Sequence, residues 1–573
     1  MTQAYLACSA RGGPAAIPPP LRDALLEYGC IEHSSDGTLL LFASPGLPVR
    51  KLARAPGWVL GHLFERGGAQ AAAETDAELS ATGAEAMVQR FWGSYVALGR
   101  DGGQLHAMRD PSGGLPCYHA QIYGQHILTS LPHLLVDCGL IPAATDWTEI
   151  ARSLTEHAAR LPRTAIRGID ELLPATLLSL TGDRVERRTV WNPWAHAQSR
   201  PREHASEALH EALCSTLGAW GKCLRRPLIE ISGGLDSAIV AAGLSRSSPG
   251  ASLITFAAAP GDPDETLYAT AIADHLALPL KIVQPRVGNV DLTRSFSANL
   301  PRPNARAFAQ AADAQSLRHG RAIDADAFVS GGGGDDVFCY LRTILPAIDR
   351  LHAQGMRAML SSVMDIAVMN HSTVWQALDR IARRLIRRGP GNSRPDLRFL
   401  APDVTAGHST PAGEQAGGRF PGKAEHVLGI AGIHNYLEGH ARAEFAPILS
   451  PLLSQPVVEC CLAIASWQWC EGGRNRAVAR SAFQSHLPRI VLERRTKGHF
   501  DGFCAALFEA NRELVGSMLL EGELAGQGLL DRKAVESATA SAFPSAETIT
   551  RLLALVDVES WIGSWASRPV HRR

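Results

Sequence analysis

Short hydrophobic runs separated by turns dominate the first third of the chain. One stretch with helical periodicity, Ala84–Phe91, lies among them. The runs predict the strands Thr38–Phe42, Trp58–Phe64, Tyr95–Leu98, Leu105–Met108 and Thr176–Leu180. Strands of this kind, joined by turns rather than by long helices, are typical of antiparallel sheets in a layered domain. We therefore predict an α+β domain over residues 1–195.

The pattern changes after Asn192–Arg202, a polar stretch with two prolines, and we place a linker at residues 196–204. An apolar stripe of leucines from Leu209 to Leu217 then predicts an amphipathic helix. Beyond it, strands of the buried type alternate with helices, which indicates a parallel sheet in an α/β domain over residues 205–573. The predicted elements are strands Leu228–Ile231, Leu253–Ala257, Lys281–Val283 and Ala327–Val329, with a helix at Thr266–Leu276.

The first of these strands runs into a glycine turn, Ser232-Gly233-Gly234-Leu235-Asp236-Ser237, and we predict that a helix opens at Ala238. Adjacent glycines let the backbone approach a ligand closely, and the two serines offer hydroxyl groups. Free N–H groups and the positive end of the helix dipole point back at such a turn, which suits phosphate oxygens. Asp236 could hold Mg²⁺ there. No Gly-Lys-Ser/Thr follows, so this is not a Walker loop, and an ordinary glycine turn is the alternative.

A second glycine-rich turn follows the strand at Ala327–Val329. It reads Ser330-Gly331-Gly332-Gly333-Gly334-Asp335-Asp336. In a parallel sheet, ligands bind at the carboxyl ends of the strands. Two glycine turns ending two strands of one sheet, each with a carboxylate, are what a two-sided Mg-ATP site requires. A solvated acidic turn is the alternative for this segment taken alone.

Composition excludes several other classes of protein. The 573 residues suffice for at least two domains, and Lys+Arg and Asp+Glu both number 56, so no net charge points to a nucleic-acid partner. No apolar run approaches the ~20 residues of a membrane span, and the N-terminus does not resemble a signal peptide. The eleven cysteines include no Cys-x-x-Cys pair. We therefore expect a cytoplasmic protein without membrane insertion.

Several strings resemble the asparagine synthetase superfamily. Phe91–Tyr95, Arg109–Tyr118 and Gly168–Leu172 resemble its glutaminase-type domain. The first loop resembles the pyrophosphate-binding loop of ATP pyrophosphatases, and the second resembles the synthetase motif Ser-Gly-x-Gly-Ser-Asp-Glu. Glu493–Phe500 resembles the family string Arg-x-x-Lys-x-x-Phe. The resemblance implies a glutaminase-like sandwich of the N-terminal-nucleophile type, followed by an ATP-pyrophosphatase-type synthetase domain.

The resemblance also implies roles for individual residues. Ser232 to Ser237 would hold the phosphates of ATP, Ser330 and Gly331 would border the adenine, and Asp236 and Asp335 would share Mg²⁺. Lys497 would reach the phosphates. The implied chemistry is attack of a carboxylate on the α-phosphorus of ATP, followed by attack of an amine on the acyl-adenylate. The catalytic candidates are thus Lys497, Asp236 and Asp335.

The N-terminal domain departs from the family at its nucleophile. The family uses an N-terminal cysteine whose own amine is the base, and this chain has Thr2 there. The glutamine-binding strings expected between Arg50 and Glu85 are also missing. We therefore expect a degenerate domain that no longer hydrolyses glutamine and serves as a structural partner.

Within the superfamily, the second loop favours one branch. Its variable position is Gly332, and the strings Gly331–Tyr340 and Arg109–Tyr118 look most like lasso peptide cyclases. We therefore expect a macrolactam synthetase that joins the N-terminal amine of a precursor peptide to an Asp or Glu side chain. The resemblance implies a leader peptidase and a precursor-recognition protein as partners. The alternatives are a synthetase making a small amide or β-lactam, and a non-catalytic nucleotide-binding scaffold.

Overall fold

The computed structural model describes most of the chain. The described residues are 3–9, 15–35, 37–75, 79–80, 83–101, 103–156, 160–199, 201–258, 264–386, 396–405, 419–494 and 500–568. Thr2 and Lys497 lie outside them. Within these ranges, no helix is both long and apolar enough to cross a membrane.

Two antiparallel sheets form the N-terminal part. The strands are β1 Tyr5–Ser9, β2 Ile31–Ser35, β3 Leu39–Ala43, β4 Val49–Leu52, β5 Gly57–Glu65, β6 Glu74–Thr75, β7 Phe91–Asp101, β8 Gln104–Arg109, β9 Tyr118–Ile122, β10 Gln125–Thr129, β11 Asp170–Glu171, β12 Thr176–Thr181 and β13 Arg184–Thr189. One sheet has the order β11-β9-β10-β1-β3-β2, and the other has the order β13-β12-β8-β7-β5-β4-β6. Only β4 and β6 pair in parallel among them.

The two sheets stack face to face around a shared apolar core. Leu41 of the first sheet and Trp58, Val96 and Leu178 of the second belong to the same buried cluster. Helices cover the outer faces, so the prediction of a layered α+β domain is confirmed. These helices are α1 Pro19–Glu27, α2 Gly83–Arg90, α3 Pro132–Asp137 and α4 Trp147–Thr155.

A parallel sheet organises the rest of the chain, as predicted. Its order is β16-β15-β14-β17-β18. The strands are β14 Pro227–Glu230, β15 Ser252–Phe256, β16 Leu280–Val283, β17 Ala327–Ser330 and β18 Ile448–Leu449. The sequence did not predict β18, because two residues after a proline carry too little periodicity to separate a strand from a turn.

Helices surround this sheet and form the C-terminal region. They are α5 Pro193–His196, α6 Ala205–Cys223, α7 Leu235–Ser245, α8 Thr266–Leu276, α9 Gln310–Ala322, α10 Gly334–Val337, α11 Leu345–Gln354, α12 Met356–Met369, α13 Val374–Ile386, α14 Pro421–Ile433, α15 Gln455–Leu462, α16 Ala477–Ala482, α17 Arg489–Glu493, α18 Asp501–Ala510, α19 Arg512–Glu521, α20 Glu523–Gly526, α21 Arg532–Ala540 and α22 Ala546–Ala566. α7 begins at Leu235, three residues before the predicted start. α5 lies within the polar stretch Asn192–Arg202, for which no helix was predicted. The Asn192 side chain caps this helix by accepting from the Trp194 N–H at 3.0 Å.

Aromatic packing and charge both join the two parts. Phe64 and Trp92 of the N-terminal sandwich pack against Trp220 of α6, with ring centroids 5.1 and 6.5 Å from that of Trp220. A set of charges with side chains at most 12% exposed also joins the two parts, and we call it the junction cluster: Arg109, Arg160, Glu171, Arg302 and Glu438. Arg302 and Glu438 come from the parallel-sheet part of the chain, so these ion pairs cross the boundary.

Candidate functional site

The first glycine turn connects β14 to α7 and is held by its own serine. The Oγ of Ser237 accepts from the Ser232 N–H at 3.2 Å and donates to the Gly234 carbonyl at 3.3 Å. Leu235 and Asp236 form the first turn of α7. The free N–H groups of that turn and the positive end of the helix dipole therefore face the loop, an arrangement suited to phosphate.

The second glycine turn packs directly against the first. A methyl group added at Gly331 would lie 2.6 Å from the backbone nitrogen of Ser237, and one at Gly334 would lie 2.4 Å from Cβ of Asp236. Only residues without a side chain allow the two turns to approach this closely. The structure thus brings together two groups of predicted residues, Ser232 to Ser237 and Ser330 to Asp335.

Arg476 links the carboxylates of the two turns. Its Nη1 lies 2.7 Å from Oδ2 of Asp236 and 2.8 Å from Oδ1 of Asp335. Its Cζ lies 4.9 Å from the centre of the Tyr340 ring, a cation–π contact. Burial lowers the pKa of Arg476, but the two carboxylates raise it above its ordinary value, so the guanidinium stays charged.

Sequence reasoning missed Arg476, which the pattern showed only as a basic residue before a helix. Its backbone has φ 52°, in the left-handed region, immediately before α16. Such a conformation costs of order 1–3 kcal/mol in a residue with a side chain and is concentrated at functional sites. Its proximity to Asp236 depends on the tertiary fold, because the two residues are 240 positions apart.

The two carboxylates fit a magnesium ion. Both oxygens contact the same nitrogen, so they converge on one point as ligands of a single cation must. Among the described residues, no group of three or more His, Cys, Asp or Glu side chains could hold a metal. Mg²⁺ is commonly bound by one or two carboxylates together with substrate phosphates, which matches this donor set.

A second arginine supports the first turn from behind. Nη1 of Arg494 donates to the Ser232 carbonyl at 3.3 Å, while its guanidinium pairs with Glu265 and stacks on Tyr268 at 4.3 Å. Arg480 donates to the Arg494 carbonyl at 3.0 Å and so fixes this segment. Burial, with Arg476 nearby, lowers the pKa of Arg480 to about 10. The segment leads to Lys497, which itself lies outside the described residues.

A cavity of about 900 Å³ opens beside the second turn. Ser330, Gly332 and Gly333 line it at the edge of the parallel sheet, and Ser94 and Ser112 line it from the N-terminal sandwich. Gly332 contributes no side chain to this space. The cavity can therefore hold a substrate next to a nucleotide bound between the turns.

Comparisons with known proteins give one family match. The family model described as "Asparagine synthase" matches residues 226–420 and 440–563, more than half of the chain. No curated protein matches the sequence significantly. Among solved structures, an allosteric regulatory enzyme of purine biosynthesis is 9% identical, with a TM-score of 0.21, 57% of this chain covered and 84% of that chain. A glutamine phosphoribosylpyrophosphate amidotransferase from B. subtilis, complexed with ADP and GMP, is 9% identical with the same coverages and a TM-score of 0.19. These scores are too low to support an inference.

Proposed function

The chain belongs to the asparagine synthase family, whose members are ATP-dependent enzymes that form amide bonds, and we propose that it closes a macrolactam ring in a precursor peptide. The proposed acyl donor is an Asp or Glu side chain of the core peptide, and the proposed acceptor is the amine at its N-terminus. The chain itself is thus an amide-forming ligase that uses ATP, and the lasso peptide substrate is the proposal.

The proposed reaction has two steps. A carboxylate oxygen attacks the α-phosphorus of ATP, the bond to pyrophosphate breaks, and an acyl-adenylate forms. The peptide amine then attacks the acyl carbon, AMP leaves, and the amine gives up a proton. The Ser232–Ser237 turn holds the phosphates at the start of α7, and Ser330 and Gly331 border the adenine. Mg²⁺ held by Asp236 and Asp335 would offset charge on the departing pyrophosphate.

Two arginines and a lysine add positive charge around the leaving group in this proposal. Arg476 already contacts both carboxylates at 2.7 and 2.8 Å, so it lies within one side-chain length of any phosphate bound there. Arg494 holds the turn at Ser232. Lys497 is proposed to reach the phosphates, as the family string implies. Preorganised cations of this kind stabilise charge that develops in the transition state.

The observation that carries the peptide proposal is the 900 Å³ cavity at Gly332. Pockets that bury drug-sized ligands span about 300–1,000 Å³, so this space exceeds the need of a single free amino acid. A side chain at position 332 would project close to Ser330 Oγ and Ser450 Oγ, whereas glycine leaves that space to the substrate. An amine tethered in the same peptide also gains a high effective concentration.

We propose that the N-terminal domain no longer hydrolyses glutamine. The junction cluster supports a structural role, because Arg109 of the sandwich contacts Glu438 of the synthetase part at 3.3 Å. A peptide α-amine has an ordinary pKa of about 7.7–8.0, so part of it is neutral near pH 7 and no ammonia source is needed. A leader peptidase and a precursor-recognition protein are the proposed partners, in the cytoplasm.

The test incubates the protein with Mg-ATP, the leader peptidase and a precursor that carries an acid at ring-closing distance. We expect a product lighter by one water, together with AMP and pyrophosphate, without added ammonia or glutamine. The control is the same core peptide with its N-terminus acetylated, which blocks the amine and leaves the carboxylate intact. A dehydrated product from the acetylated core would refute ring closure through the N-terminal amine. Amidation that requires free ammonia would favour the small-amide alternative.

A further inference from the structure

One stretch of the cavity wall, Asn304-Ala305-Arg306, carries a positive charge that forms no ion pair with the described residues. Arg306 and Asn304 both line the cavity that reaches Gly332. Arg306 is partly buried, and burial lowers its pKa, yet an arginine side chain stays protonated in proteins. Among the residues that the structure describes, no carboxylate oxygen lies within 4 Å of its guanidinium.

The acids whose charge acts on the Arg306 guanidinium form ion pairs with other residues. Glu230 pairs with both terminal nitrogens of Arg442, at 2.6 and 3.1 Å. Asp313 lies 3.2 Å from His440 and 3.3 Å from Arg442. Arg306 instead stacks on aromatic rings, with its Cζ 5.4 Å from the Tyr436 centroid and 5.9 Å from that of Phe308. Stacking holds the guanidinium plane and leaves its N–H edge available to a planar anion.

The backbone of this stretch is strained and held in place. Ala305 has φ 58°, a left-handed conformation that is unfavourable for alanine. The flanking N–H groups are anchored, since Asn304 donates to Ser297 Oγ at 3.1 Å and Arg306 to the buried Asp557 at 3.0 Å. The Asn304 Oδ1 is buried and accepts no hydrogen bond from the described residues. Strain and unsatisfied polar atoms of this kind persist mainly where function requires them.

We propose that Arg306 binds the carboxylate of the acyl substrate before it is activated, through a paired contact from the guanidinium edge. The inference rests on the proposed function, which requires a substrate carboxylate in this cavity. It adds the residue that would select an acid over the matching amide. Buried charge is costly unless it is paired, so an anion in front of Arg306 would complete the site. Arg306 lines the same cavity as Ser330 and Gly332, so its charge borders the space beside the second turn.

Binding of a small probe tests the proposal without ATP. The probe is N-acetyl-aspartate N-methylamide, and the neutral comparison is N-acetyl-asparagine N-methylamide; affinities for the full-length protein are measured by ligand-observed NMR titration. We expect the acid to bind more tightly than the amide. Arg306→Gln should weaken binding of the acid by about 10- to 100-fold, as for loss of a charge-assisted hydrogen bond, and should leave the amide unaffected. Arg306→Lys, which keeps the charge but not the planar edge, should fall in between.

Arg294→Gln is the matched control, because Arg294 is an exposed arginine outside the cavity lining. Melting temperatures show whether each variant is folded. If Arg306→Gln does not fold, Arg306→Lys still tests the proposal. Equal affinity of wild type for acid and amide, no binding of the acid, or unchanged binding in folded Arg306→Gln would each overturn the proposal. Arg306-dependent acid binding without ring closure would refute the macrolactam proposal alone. Ring closure with an unchanged KM for the peptide in Arg306→Gln would refute this inference alone.

Discussion

Two groups of charged side chains, the junction cluster and the carboxylates of the glycine turns, are built for opposite purposes. In the junction cluster, Glu171 is fully buried and contacts Arg109, Arg160 and Arg302 at 2.7 to 2.8 Å. At the glycine turns, Asp236 and Asp335 share one nitrogen of Arg476, and the Asp335 side chain is 28% exposed. Both carboxylate oxygens of Glu171 are therefore paired with arginines, in a side chain without solvent exposure. At the glycine turns, the partial exposure of Asp335 leaves a route for one cation to replace another.

The largest expected effect is on the glycine-turn carboxylates. Asp335→Asn and Asp236→Asn should each reduce pyrophosphate release by about 10³-fold or more, because metal-held charge contributes several kcal/mol to such transition states. Pyrophosphate release with an acidic substrate measures it. Asp274→Asn, an exposed carboxylate on α8, is the control and should retain full activity. Near wild-type release from either site variant would refute the assigned metal ligands.

The junction cluster should respond through stability instead of rate. Glu171→Gln should lower the free energy of unfolding by about 3–5 kcal/mol, since it leaves buried arginines without their partner. Denaturant unfolding measures this, and Glu186→Gln on the exposed edge strand β13 should cost no more than about 1 kcal/mol. An equal effect of the two variants would show that the buried ion pairs of Glu171 do not stabilise the fold as described.

The stability lost in Glu171→Gln should depend on pH, in a direction set by the pKa of Glu171. Burial raises the pKa of Glu171, but Arg160, Arg302 and Arg109 together lower it by more than burial raises it. The pKa of Glu171 therefore lies below its ordinary value. Its contribution is therefore complete above the unfolded-state pKa of about 4.3 and is lost as pH falls toward the lower folded-state pKa. The stability gap between wild type and Glu171→Gln should narrow below about pH 4. A gap that widens there would contradict the ion-pair account.

Lys497 is expected to act at the same leaving group as the glycine turns. Lys497→Ala should lower the rate of ring closure by about 10²–10³-fold, as for other preorganised oxyanion partners. Lys497→Arg should recover only part of it, because a planar guanidinium differs from a compact ammonium. Single-turnover kinetics with bound ATP measure both. Unchanged rates in Lys497→Ala would remove this lysine from the catalytic set.

A smaller effect is expected if Arg476 and Mg²⁺ compete for the carboxylates of Asp236 and Asp335. Without it, two close carboxylates would repel one another, so Arg476→Met should lower the free energy of unfolding by about 1–3 kcal/mol. Millimolar Mg²⁺ without nucleotide should restore part of this loss and change wild type much less. The measurement is a thermal melt with and without Mg²⁺. Identical Mg²⁺ responses in the two proteins would show that Arg476 does not occupy the metal position.

The smallest effect is expected at Thr2. Because the domain is proposed to be inactive towards glutamine, Thr2→Ala should leave ring closure unchanged, and wild type should release no glutamate from glutamine. A coupled glutamate assay measures this. Glutamate release that disappears in Thr2→Ala would restore a glutaminase.

Local motifs were predictable, and so was the approach of the two glycine turns, because each follows a strand of one parallel sheet. Other contacts between distant segments were not predictable. Both glycine turns were found because a strand, adjacent glycines and a helix start leave a local pattern, as at Ser232 to Ser237. Arg476 and Arg306 gave no such pattern. Folding alone brings Arg476 to its two carboxylates and leaves Arg306 without an ion pair among the described residues. The junction cluster was missed for the same reason, because its members are spread along the sequence from Arg109 to Glu438. The strand β18 was too short to leave a periodicity.

Transfer of ¹⁸O tests the central claim, activation of a substrate carboxylate by adenylation, most directly. The side-chain carboxylate of the precursor is labelled with ¹⁸O, ring closure is run with unlabelled ATP and water, and the nucleotide product is analysed by mass spectrometry. Carboxylate attack on the α-phosphorus followed by amine attack on the acyl carbon leaves one carboxylate oxygen on AMP. We predict one ¹⁸O atom in AMP for each ring formed and none in pyrophosphate. Label in inorganic phosphate with ADP as the product, or ring formation with unlabelled AMP, would contradict the account.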